Sequence, residues 1–194
     1  MVYLLTLVVM GVVAYAFAQE GATTAFLMCC NVFFAGLVAF SFWEPLAAGL
    51  EPTFANGPLA GFEDAFCLVP LFAGTLVLLR WVTNRLVDVE PEQQPRLRQA
   101  LAAFFGAVTG YLTAGFLVCV LQTLPWHREF LHFDPKVDPA SPGHKIRRLL
   151  PPDRVWLALM HRAGDVPLSR SGHDTFDKDG AFEDDYARLR RYGD

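Results

Sequence analysis

Residues 1–43 read MVYLLTLVVMGVVAYAFAQEGATTAFLMCCNVFFAGLVAFSFW and contain one charged side chain, Glu20. A helix that crosses a bilayer needs roughly 17–25 apolar residues at ~1.5 Å rise each. Val2–Ala18 supplies 17 such residues and Ala22–Trp43 supplies 22. Only Gln19-Glu20-Gly21 lies between them, and glycine tolerates the backbone angles of a tight turn. The stretch therefore predicts a hairpin of two membrane helices. Ala16-Phe17-Ala18 has the small-x-small form of a signal-peptide cleavage site. No Lys or Arg precedes the apolar run, however, and a second apolar segment begins three residues later. The segment accordingly reads as a retained span.

Working outward, Ala65–Val82 is a third span and Ala100–Leu124, free of charge, is a fourth. Pro70 inside the third is tolerable where neighbouring helices can satisfy the freed carbonyl. Arg80 near its end can snorkel to the membrane surface. Tyr3, Trp43, Trp81 and Trp126 stand at the helix ends, where an interfacial aromatic belt belongs. The join Glu44–Asp64 is rich in Pro and Gly and has no Lys or Arg. The join Asn84–Arg98 is short, polar and carries Arg85, Arg96 and Arg98. The predicted fold is all-α: an integral membrane protein of four helices at about 2–18, 22–43, 65–82 and 100–124.

Charge divides the chain at the same place. Residues 1–124 carry 12 charged side chains, 4 Arg against 8 Asp and Glu, which accounts for the whole net charge of −4. Residues 125–194 carry 12 acidic and 12 basic side chains. Such a balance lacks the basic field of a nucleic-acid-binding protein. The apolar part also lacks the charged outer faces that a water-soluble core requires. The tail opens with six prolines between Pro125 and Pro152, so it reads as a polar, largely unstructured segment with one or two short helices. Asp153–Ala163 is the first, placing Trp156, Leu159, Met160 and Ala163 on one face suited to lie on the membrane surface. Gly180–Tyr192 is a second, weaker one.

Few residues suggest chemistry. Cys29, Cys30, Cys67 and Cys119 lie in apolar runs without CxxC spacing and read as small buried hydrophobes. Ser171, His173 and Asp174 are the residue types of a hydrolytic triad but lie nearly contiguous in a loop. Around Gly180, a calcium loop would need acids at Thr175 and Tyr186, so Asp177–Gly180 reads as a surface turn. His127 and His132, five apart, do not share a helical face. No catalytic, cofactor-binding or metal-binding residue is expected, and the chain reads as a non-enzyme.

Three features remain. Glu20 is the only ionisable group of the hairpin; a charge at bilayer depth marks a functional candidate, although at a turn it can also simply reach headgroup water. Asn31, mid-helix, can hydrogen-bond to another helix. Ala102, Gly106, Gly110 and Ala114 form a stripe of small residues along the fourth helix. Such a stripe lets another helix approach closely, with Gly11, Ala14, Ala18 and Gly36 as facing surfaces.

These features resemble the colicin V production protein (CvpA) family over roughly residues 1–124. Ala16-Phe17-Ala18-Gln19-Glu20 lies where that family has an Arg-Gly-Phe-x-Arg-Glu-like turn. Phe105-Gly106-Ala107-Val108-Thr109-Gly110 lies where it has Phe-Gly-x-x-Arg-Gly. Glu20, Phe105, Gly106 and Gly110 carry over, whereas Tyr15, Gln19 and Thr109 replace the family arginines and Ala16 replaces a glycine. The resemblance implies a bacterial inner-membrane protein linked to toxin production or secretion or to envelope maintenance, without enzymatic activity. Its expected surroundings are the lipid bilayer and either further copies of itself or another membrane protein. The alternatives are a small oligomeric channel or transporter, which the scarcity of intramembrane charge disfavours, and an anchor whose tail recruits an extracytoplasmic partner. Arg80, Arg85, Arg96 and Arg98 surround the third join and none occurs in the second. The positive-inside rule therefore predicts that both termini are extracytoplasmic.

Overall fold

A computed structural model of the protein describes residues 2–54, 62–86, 95–124 and 151–165. They form five helices: α1 (Val2–Glu20), α2 (Ala22–Phe54), α3 (Glu63–Leu86), α4 (Pro95–Thr123) and α5 (Pro152–Asp165). No strand occurs among the described residues. The proposed weak helix at Gly180–Tyr192 lies outside them.

Ala22–Trp43 of α2, α3 and α4 are each long and apolar enough to cross a membrane, and α1 adds the shorter apolar helix Leu4–Glu20. The outer faces agree with a lipid environment. Leu4, Leu7, Val12 and Tyr15 on α1 and Val77 and Leu78 on α3 are all more than half exposed. An apolar exterior this continuous would be an aggregation surface in water; in hydrocarbon it costs nothing. The protein is thus a multi-pass membrane protein.

α1 packs against α4, α4 against α2, and α2 against α3. The α1–α2 turn is made by Gly21, whose φ of 131° disfavours any side chain. Its N–H donates to the Phe17 carbonyl and its carbonyl accepts from Ala25, so the two helices join with almost no loop. The acids Glu63 and Asp64 open α3 and Arg85 lies in its last turn, each opposing the nearby pole of the helix dipole. Pro70 sits on an exposed face of α3.

Three expectations change. First, α2 does not stop at Trp43; it continues through Pro45 to Phe54. An interior proline removes one backbone hydrogen bond and costs roughly 3 kcal/mol. Past Pro45, Ala47 is buried in one core with Ala65 and Leu68 of α3. Second, Trp43 is not a belt residue, because it is buried in the same core. Trp81 does lie on an exposed face, with the Arg85 guanidinium 5.5 Å from its ring centroid. Third, α5 does not show its apolar face to the membrane surface. Trp156 and Met160 are buried inside the helical bundle.

Candidate functional site

Two arrangements stand out, a polar cluster at one end of the bundle and a close helix contact along its length. The cluster begins at Glu20, the last residue of α1. The Arg80 Nη2 of α3 donates to Glu20 Oε2 at 3.4 Å. The Arg98 Nη2 of α4 donates to the Glu20 carbonyl oxygen at 3.2 Å. Both side chains of the Glu20–Arg80 pair are partly exposed, at 48% and 32%. Solvent therefore screens the pair, and its contribution to stability is about 1 kcal/mol or less.

The cluster extends inward through α3. Asn31 of α2, only 3% exposed, donates from Nδ2 to Thr83 Oγ1 at 3.1 Å. Thr83 Oγ1 in turn donates to the Arg80 carbonyl oxygen at 3.1 Å. Glu20 and Asn31 therefore meet the same stretch of α3, Arg80–Thr83, and all four long helices contribute a polar group. Sequence reading singled out Glu20 and Asn31 but missed Thr83 and the convergence. The arginines were visible as a topological signal; their reach to Glu20 was not.

The stripe on α4 is spent within the chain. A Cβ placed on Gly106 would lie 2.9 Å from the Ala14 Cα of α1, and one on Gly110 would lie 2.7 Å from the Met10 Cα. Ala102 and Ala114 on the same helix are wholly buried. Of the suggested facing residues, Ala14 does meet the stripe. Gly11 instead faces open space, and Gly36 faces Trp156 and Met160 of α5. Among the described residues no three His, Cys, Asp or Glu side chains gather as metal ligands would. His127, His132, Ser171, His173, Asp174 and the Asp177–Gly180 turn lie outside the described residues.

A family model described as Colicin V production protein matches residues 3–133, two thirds of the chain. The chain belongs to the colicin V production protein family. The match spans α1–α4 and ends before α5. No curated protein and no solved structure matches the chain. Tyr15 and Gln19 near the end of α1 are exposed. Thr109 is buried and bonded to the Phe105 carbonyl at 2.8 Å. Glu20 in this family member faces two guanidinium groups, those of Arg80 and Arg98.

Proposed function

We propose that this colicin V production family member acts in toxin production or secretion, or in envelope maintenance, from the bacterial inner membrane. It does so by contacts between helices and with partners, not by chemistry on a substrate. The convergence of α1, α3 and α4 at Glu20, with Asn31 of α2 joined to the same stretch of α3 through Thr83, carries this reading. A carboxylate and two guanidinium groups at one membrane edge form a recognition surface for polar groups of another membrane protein or a second copy. The bundle otherwise presents apolar side chains to lipid. The arginines at that edge favour a cytoplasmic position for it under the positive-inside rule, and with it both termini on the outer side.

The test is in-membrane photocrosslinking from a probe at Leu97, an exposed residue beside Arg98. A crosslinked membrane protein or dimer, lost with Glu20→Ala, is the expected result. Capture of lipid alone, with toxin export and envelope integrity unchanged by Glu20→Ala, would refute the reading.

A further inference from the structure

Trp156 is the largest fully buried side chain described, and it belongs to α5, outside the family-matched region. Its ring centroid lies 6.2 Å from Phe40 of α2, 6.4 Å from Phe72 of α3 and 5.9 Å from Phe116 of α4. Gly36 and Gly115 form the floor of this groove, since a Cβ at either would collide with α5. Gly36 precedes Trp43, and Gly115 precedes Thr123, by a distance of about 10–12 Å at ~1.5 Å per residue. The Trp156 ring is thus held about two helical turns inside the end of the apolar span Ala22–Trp43 and the end of α4.

The fit is incomplete in its polar groups. Gln122 Nε2 donates to Asp153 Oδ2 at 3.0 Å, but Gln122 Oε1 and Trp156 Nε1 are buried without a hydrogen-bond partner. Each such group lowers the stability of the docked helix. α5 is itself amphipathic, with Arg154 and Arg162 on its exposed side. That is the composition of a helix that lies in the membrane interface, where an indole N–H finds partners. The vacated groove would be filled by lipid chains, which are as apolar as leucine, so the hydrophobic cost of opening is small.

We propose that α5 has two positions, docked in the groove of α2, α3 and α4 or lying in the membrane interface. It is thus a reversible latch that holds or releases the tail. The docked position is the one in the structure; the interfacial position is the one its amphipathic pattern suits. Exchange between them alters which surface the four-helix unit presents on the side opposite Glu20.

The test is fluorine NMR of the full chain, labelled with 5-fluorotryptophan, in phospholipid nanodiscs. The Trp156 signal is identified by its loss in Trp156→Phe. The unaltered chain should show a main Trp156 signal exchanging with a second of about 1–10% intensity. Met160→Lys puts an ammonium against Gly36 and should leave only the second signal, with helix content and accumulation near the unaltered level. Gly36→Leu, which blocks the groove from the α2 side, should give the same signal. A single, non-exchanging Trp156 signal overturns the proposal. So does a docked signal that survives Met160→Lys, or a Met160→Lys chain that loses its helix content, since α5 would then be a fixed part of the core.

Discussion

Gly110→Leu should separate α1 from α4. A Cβ at position 110 would lie 2.7 Å from the Met10 Cα, 3.2 Å from the Met10 carbonyl oxygen and 3.1 Å from the Val13 Cβ. Unstrained carbon contacts lie at about 3.5–4.0 Å. The helices must therefore part by roughly 1 Å, because backbone atoms cannot rotate away as a side chain can. A gap of about 0.5–1 Å forfeits a quarter to a half of the dispersion energy of the contacts it opens. Overpacking of this kind costs about 1–3 kcal/mol. Alanine and leucine both regain up to ~1 kcal/mol over glycine in helix propensity, and leucine is the more telling substitution because its larger side chain adds to the overpacking. The unfolding constant in bicelles, followed by helical circular dichroism, should rise roughly 5–150-fold. Gly11→Leu is the control, one residue from Met10 on α1, where an added Cβ meets nothing within 4 Å. It should leave stability unchanged. Equal stability and accumulation of Gly110→Leu and Gly11→Leu would refute the reasoning.

Further outcomes follow from the same geometry. Gly21→Ala should destabilise the hairpin by about 1–3 kcal/mol, because its φ of 131° strains any side chain; unchanged unfolding in the same assay would contradict this. Asn31→Leu and Thr83→Val should each cost about 1 kcal/mol and the double variant less than their sum, since both remove the Asn31–Thr83 hydrogen bond while Thr83→Val also removes the bond to the Arg80 carbonyl; full additivity would show that the two do not act together. Glu20→Gln should accumulate normally, because its ion pair is half-exposed, yet reduce toxin export or envelope integrity; normal export and integrity would reject the functional role of the cluster. Alkaline phosphatase fused after Asp194 should be active and a fluorescent protein that folds only in the cytoplasm should be dark there; the opposite pair would invert the topology.

Much of the fold was legible because a membrane imposes a simple requirement. Every backbone polar group must be satisfied within its own helix, over a fixed thickness of apolar side chains. Residues 1–43, with Glu20 as their only charge, and the uncharged Ala100–Leu124 admit few other readings. The turn was legible for the same reason, since Gly21 is the residue that the tight join demands. The family was legible from Glu20 and the Phe105–Gly110 segment. Helix ends were less so. Pro45 marks a stop in isolation, yet α2 runs on to Phe54, with Trp43 and Ala47 on either side of it buried in one core with residues of α3.

Which helix face meets which neighbour was decided by tertiary structure. In lipid, a face that contacts helices and a face that contacts acyl chains are equally apolar, so hydropathy does not distinguish Gly11, open to the surroundings, from Gly110, pressed on Met10. The meeting of Glu20 with Arg80 and Arg98 depends on three helix ends that lie 60 and 78 residues apart in sequence. The burial of Trp156 likewise depends on a space between three other helices, and no local pattern in α5 encodes it. A sequence records what a side chain can tolerate; packing determines which of the tolerated surroundings it receives.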